Sequence, residues 1–262
     1  MKKKISLVQM AVSIGKPDVN FARAVELMEA AMVDNPDVIV LPETLNVGFF
    51  PDAELMDLAD VDGRDTKRVF GSFAAQNGVN VVAGSVANRR GAKVYNTAFV
   101  FDRTGNCVCE YDKVHGFSPA REHEFFAAGC EAVNFVLDDV PCGIVICYDI
   151  RFPELVRKLA LRGTDLLFVV AQWPLIRREH WITLNKARAI ENQMYVCAVN
   201  GCGTDKKIKY GGNSLLISPW GEEIIHMDTE EEVVTGEIDL AIVNEIRTKI
   251  NVFRDRREEA YR

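Results

Sequence analysis

Short apolar runs rich in β-branched residues alternate along this chain with stretches of helical period, and that alternation restricts it to folds in which helices cover sheets. Residues 5–12 read as a first strand, 21–32 as a helix, and 37–41 as a buried strand running directly into Pro42-Glu43. Residues 66–76 read as a helix and 80–86 as a strand. Two further runs, 94–101 and 107–111, flank Asp102-Arg-Thr-Gly105, whose turn chemistry predicts a β-hairpin. Residues 143–146 and 165–171 are buried strands, 178–194 a helix and 195–200 a strand. The alternation then weakens, with strands at 213–218, 222–226 and 233–238 around the Pro219-Trp220-Gly221 turn. The class is therefore α/β. With 262 residues, 48% of them hydrophobic, the chain can bury a large core, and no linker or change of composition divides it, so residues 1–262 read as one domain. Residues 246–262 are charged with little core pattern, which composition alone reads as a solvated tail.

Several function classes are disfavoured. A net charge of −7 argues against general nucleic-acid binding, which needs a basic surface. No apolar stretch is long enough to cross a bilayer, and Lys2, Lys3 and Lys4 precede a strand and not a signal-peptide core. A soluble, cytoplasmic protein is expected. The seven cysteines form no small disulfide framework in a chain of this length, and their close pairs have one or four intervening residues. The four histidines show no metal-ligand spacing, so neither a metal nor an organic cofactor is expected.

The chemistry-bearing candidates lie at the ends of strands. Cys147 ends the run 143–146, and Pro153 then suits the first turn of a helix continuing as Glu154-Leu-Val-Arg-Lys-Leu. A thiol at a strand-to-helix junction has backbone N–H groups beside it, which are expected to lower its pKa and to bind a developing oxyanion. Glu43 follows a buried strand, a position suited to a general base or acid. Lys113 opens residues 112–129, a stretch with no clear period and of a length that is usually functional in a compact domain. Its ammonium, beside a thiol, would favour the thiolate. His115 is an alternative base that spacing neither selects nor removes. Strand ends on one rim of a layered fold converge, which makes a shared site plausible.

Leu41-Pro-Glu43, Tyr111-Asp-Lys113-Val-His-Gly-Phe117 and Ile146-Cys147-Tyr-Asp-Ile-Arg-Phe-Pro-Glu154 resemble, in order, the three catalytic segments of the nitrilase superfamily of carbon–nitrogen hydrolases. The resemblance continues through Ala171-Gln-Trp-Pro174, His180-Trp181, Ala187-Arg-Ala-Ile-Glu-Asn-Gln193 and Ser218-Pro-Trp-Gly221, nearly the whole chain. It implies a four-layer αββα sandwich, paired into dimers with the C-terminal segment 246–262 reaching towards the partner. It makes Cys147 the nucleophile, Glu43 the general base and acid, and Lys113 the stabiliser of a tetrahedral intermediate with the N–H of Tyr148. Glu122 resembles a second glutamate that positions Lys113, with Glu124 as its rival. No cofactor is implied.

Gln172-Trp-Pro-Leu-Ile-Arg177 with His180-Trp181 looks most like the ω-amidase branch, which hydrolyses the terminal amide of α-keto acids such as α-ketoglutaramate and α-ketosuccinamate. Gln172 stands where Asn is common in that branch. The distant carboxylate of such a small-molecule substrate calls for a cation, for which Arg177 is the first candidate and Arg151 the second. Phe117 and Trp173 are candidate pocket walls, and Arg188 and Asn192 read as structural hydrogen-bonding residues. The alternatives are an amidase of another substrate, such as a carbamoylated amine or an aliphatic amide, and an inactive binding protein of the same fold.

Overall fold

The computed structural model describes residues 1–49, 54–205 and 208–261. The first half runs β1 (Lys2–Gln9), α1 (Pro17–Ala31), β2 (Val38–Val40), the short α2 (Leu55–Leu58) and β3 (Asp60–Val61). A helical run follows, α3 (Arg64–Thr66) passing through a π turn (Lys67–Gly71) into α4 (Ser72–Asn77), and then β4 (Asn80–Arg90), β5 (Lys93–Phe101) and β6 (Cys107–Asp112). The second half is β7 (Asn134–Leu137), β8 (Val140–Ile146), α5 (Pro153–Leu161), β9 (Leu166–Ala171), α6 (Arg178–Asn192) and β10 (Tyr195–Asn200). A two-stranded ribbon, β11 (Thr204–Asp205) with β12 (Ile208–Lys209), precedes β13 (Leu215–Ile217), β14 (Glu223–His226), β15 (Glu232–Asp239) and α7 (Ala241–Lys249).

Two sheets result, one in the order β15-β1-β2-β4-β5-β6 with β3 beside β4, the other β14-β13-β10-β9-β8-β7. The period of two decides which side chain faces which layer. In the first sheet Ile5, Leu7, Val38, Val40, Val82, Ala98 and Val100 join the core shared with the second sheet. Their neighbours Val8, Ile39, Val81, Phe99 and Phe101 point the other way, against Phe21, Ala24, Leu27 and Met28 of α1 and Phe70, Phe73 and Ala74 of the helical run. On the far side, Val156 and Leu159 of α5 and Trp181 and Ala189 of α6 cover the second sheet. The molecule is thus the αββα sandwich expected. Completely burying an aliphatic or aromatic side chain contributes about 1.5–3 kcal/mol, so the three packed interfaces supply the principal driving force for this layering.

Local sequence explains most boundaries. Pro17 and Pro153 open α1 and α5, where a missing N–H costs nothing. Gly78, at φ +62°, ends α4. The hairpin between β5 and β6 is held by Asp102, whose Oδ1 accepts from Thr104 N, Asn106 N and Thr104 Oγ1. Several short elements, among them α2, β3, β7 and the β11–β12 ribbon, are absent from the reading of the sequence. β7 is too short to show a period, and it exists because Asp138 and Asp139, at φ +46° and +67°, turn the chain back onto β8. Arg103 and Lys3 ion-pair with Asp138, which fastens this edge to the first sheet. Burial opposes the charge, yet the two cations hold the Asp138 carboxyl down at about 2.

The solvated-tail reading of 246–262 fails at its start. Ile246 is buried in α7, and Arg247 pairs with Asp165 and donates to Thr164 O. The ring of Phe253 lies under the guanidinium groups of Arg157 and Arg247, 5.6 and 5.3 Å away. The polar residues between these contacts conceal them in the sequence. No helix among the described residues is long and apolar enough to cross a membrane.

Candidate active site

Glu43 is placed by the end of β2 and by a kink in β4. Pro42 has no N–H to continue the ladder, but its carbonyl accepts from Ser85 N, while Ser85 Oγ accepts from Thr44 N at 2.9 Å. This close strapping requires Gly84: it sits at φ +58°, and a Cβ there would lie 1.8 Å from the Pro42 oxygen. Glu43 itself is fully buried. Its Oε1 accepts from Lys113 Nζ and Asn96 Nδ2, both at 2.8 Å, and its Oε2 accepts from Gln172 N at 2.8 Å.

Lys113 follows β6 and is tied by its own N–H to Asn96 O and by its carbonyl to Gly129 N. Its Nζ donates to both carboxylate oxygens of Glu122 at 2.9 Å. Burial opposes its charge, but Glu43 and Glu122 outweigh that and raise its pKa, so Lys113 is an ammonium throughout the physiological range. Glu122 is fully buried, and its Oε2 also accepts from Phe117 N at 2.6 Å. Glu124 points outward and pairs with Arg121, so the structure separates the two glutamates that the sequence left as rivals.

Cys147 ends β8 and begins a 3-10 turn, Cys147–Arg151. Its φ of +48° is unusual for a residue with a Cβ and marks a strained elbow. Asp149 holds that elbow: it accepts from Ile146 N and Tyr111 Oη through Oδ2, and from His115 N through Oδ1. The His115 ring bonds Asp149 at 2.8 Å and stacks on Phe152, with ring centres 3.6 Å apart. His115 is therefore a brace between the Lys113 and Cys147 segments, and the alternative of a Cys–His pair is set aside.

The thiol departs from expectation. Burial first, and then the Glu43 carboxylate, push the Cys147 pKa well above the usual thiol value, and the pull of Lys113 is too weak to reverse them. Burial and the Glu43 carboxylate thus favour the neutral thiol over the thiolate. A thiol in this state needs a base at the moment of attack, and the carboxylate of Glu43 is close enough to act on it electrostatically.

A cleft of about 70 Å³ opens beside the sulfur. Phe117, Trp173 and Tyr148 line it together with Arg151 and Arg177. Arg151 lies 4.8 Å from the Trp173 ring centre and Arg177 5.1 Å from that of Phe117. Arg151 also reaches His180 Nδ1 at 3.2 Å. Among the described residues neither arginine is paired with a carboxylate. All nine residues expected at the site thus lie in the buried cluster or along this cleft. Sequence reasoning missed Asn96, the backbone N–H of Gln172, and the lining residues Phe49, Ile208 and Tyr210. Arg188 and Asn192 are structural: Arg188 donates to Ile150 O, and Asn192 to Arg188 O.

The family described as Carbon-nitrogen hydrolase matches residues 4–248. The chain is 43% identical to 2-oxoglutaramate amidase of Bacillus subtilis (strain 168), over 100% of both chains. It is 33% identical to Omega-amidase NIT2 of Xenopus tropicalis, over 99% of this chain and 97% of that one. Among solved structures, XC1258 from Xanthomonas campestris, described as a CN-hydrolase superfamily protein with an arsenic adduct in the active site, superimposes with a TM-score of 0.91 at 32% identity, covering 98% of each chain.

Proposed function

The chain belongs to the carbon-nitrogen hydrolase family, and from that premise we propose that it is an ω-amidase, which hydrolyses the terminal amide of α-keto acid monoamides such as α-ketoglutaramate and α-ketosuccinamate and releases ammonia. The observation that carries the substrate class is a mostly apolar cleft lined by a buried sulfur and by two partly exposed arginines that have no carboxylate partner among the described residues. The similarity to an amidase named for 2-oxoglutaramate supports the same reading.

In this mechanism Cys147 is the nucleophile and Glu43 the base. Oε1 of Glu43 already accepts two hydrogen bonds and Oε2 only one from the backbone, so Oε2 keeps an acceptor position for the thiol proton. As sulfur bonds to the amide carbon, its proton passes to Glu43 and the carbonyl electron pair moves onto oxygen. There the Lys113 charge and the N–H of Tyr148, in the first turn of its short helix and so without an intrahelical acceptor, stabilise it. Collapse breaks the carbon–nitrogen bond, and the nitrogen leaves as ammonia with the proton from Glu43. Water then gives a proton to Glu43 and attacks the thioester; sulfur departs, regains its proton, and the acid is freed. Glu122 keeps Lys113 in place, Arg177 with Arg151 holds the distant carboxylate, and Phe117 and Trp173 form the walls.

Ammonia release from α-ketoglutaramate, α-ketosuccinamate, glutamine, carbamoyl-β-alanine and a simple nitrile tests the substrate class. The keto-acid amides are expected to give the highest kcat/KM, and equal or better turnover of the carbamoyl compound would overturn the assignment. Within the same panel, Arg177→Ala is expected to raise KM for the keto-acid amides by about tenfold or more, since a charge-assisted contact contributes about 1.5–3 kcal/mol, and to leave neutral amides nearly unchanged. Equal effects on both would remove Arg177 from that role.

The same reading has the enzyme act as a cytoplasmic homodimer. Ile190 and Trp220, half-exposed on α6 and the adjoining turn, leave apolar surface that suits self-association. Size-exclusion chromatography with light scattering is expected to give twice the 29.3 kDa chain mass, and a monomer at micromolar concentration contradicts this.

A further inference from the structure

Among the described residues, Asn96 is the one uncharged side chain bonded to both Glu43 and Glu122. It lies on β5, on the face shared with Ala98 and Val100, where the apolar pattern would place a hydrophobic residue. Its Nδ2 donates to Glu43 Oε1 at 2.8 Å and to Glu122 Oε1 at 3.3 Å, and its backbone carbonyl accepts from Lys113 N at 2.9 Å. One residue therefore touches all three charged members of the cluster.

The price of this arrangement is visible at the other end of the amide. Asn96 is 1% exposed, and among the described residues its buried Oδ1 has no partner, as is also true of other buried amide oxygens such as those of Asn185 and Asn192. Leaving an acceptor unsatisfied costs roughly 1–3 kcal/mol. The amide nevertheless keeps this orientation, because the flipped form would set its oxygen against two carboxylate oxygens. What singles Asn96 out is its donor end, which meets both carboxylates of the cluster at once.

We propose that Asn96 is a positioning residue for the hydrolysis. It occupies Oε1 of Glu43 together with Lys113, so that Oε2 alone is left to take the thiol proton, and it keeps Glu122 and Glu43 on opposite sides of the Lys113 ammonium. Its donor is neutral and not acidic. It can hold an ionised carboxylate without becoming a competing proton source, which a second lysine could not do. This inference rests on the Glu43 assignment above.

The ionisable groups facing Glu43 are Lys113, Glu122, Cys147 and, from beyond the ribbon, Tyr210. None of these is altered by changing Asn96, so a shift in the pH dependence reads the loss of its hydrogen bond. Asn96→Leu, close in shape but without donors, is compared with Asn96→Ser, which retains one shorter donor; both are checked by circular dichroism and melting temperature. Two profiles are recorded, kcat/KM for ammonia release and the rate of Cys147 alkylation by iodoacetamide, followed by peptide mass spectrometry. The second needs no amide substrate, so a wrong substrate class fails in the first profile only.

Asn96→Leu is expected to lower kcat by roughly 30–100-fold with KM within about twofold, and to move the acid limb of both profiles upward by about one pH unit, as loss of a hydrogen bond to a charged acceptor does. Asn96→Ser is expected to give a smaller shift in the same direction. A folded variant with an unmoved acid limb overturns the proposal, whatever its rate, because a merely structural residue would lower activity without touching the titration. If Asn96→Leu does not fold, Asn96→Ser is judged by the same criterion.

Discussion

Cys147→Ala is expected to abolish ammonia release, lowering kcat by at least about 10⁴-fold, while the protein remains folded and still binds the keto-acid amide. Removing a nucleophile from a site whose parts act as a unit costs about as much as removing the whole site. Alanine deletes only the sulfur from a buried elbow held by Asp149 through backbone and ring contacts that do not involve that sulfur. The melting temperature is therefore expected to move by no more than a few degrees. Stopped assays for ammonia and calorimetric titration with α-ketoglutaramate check the two halves. Residual turnover within about a hundredfold of the wild type would mean that another group attacks the amide.

Lys113→Met is expected to damage both activity and stability, which distinguishes it from the first substitution. Lys113 is the cation between two fully buried carboxylates, each 2.8–2.9 Å from its nitrogen. Breaking a buried pair by removing one partner costs about 3–5 kcal/mol, because the remaining charge is left uncompensated. In a chain of this size that corresponds to a fall in Tm of roughly 6–20 °C. Adding Glu122→Gln removes one of the stranded charges, so the double variant should recover part of the Tm without recovering ammonia release. Thermal melts of the three proteins check this, and an unchanged Tm in Lys113→Met would show that the carboxylates are not held as ions by that lysine.

How much of this could be read before the fold was known depends on how local each signal is. Cys147, Glu43 and Lys113 are visible because each lies at the end of a strand that the sequence shows, and a strand end is a local property of the chain. Their convergence is not local. It requires β2 and β6 of one sheet and β8 of the other to end at the same rim, which a layered fold makes plausible and the resemblance to a known family makes specific. The choice between Glu122 and Glu124 could not be made from spacing, since an irregular turn has no period to say which side chain points inward. Asn96 left a fainter sign, a polar residue at an inward position of β5, which strand alternation does reveal once the inward face is known. The thiol was misread for a related reason. Position beside N–H groups and a lysine argues for a thiolate, but complete burial and the nearby Glu43 carboxylate outweigh both, and burial is a property of the assembled layers.

A sulfur that keeps its proton at rest is also a poor target for peroxide, because the thiolate is the form that is oxidised to the sulfenic acid. On the proposed mechanism, burial and Glu43, by favouring the protonated form of Cys147, would slow oxidation of the sulfur between turnovers.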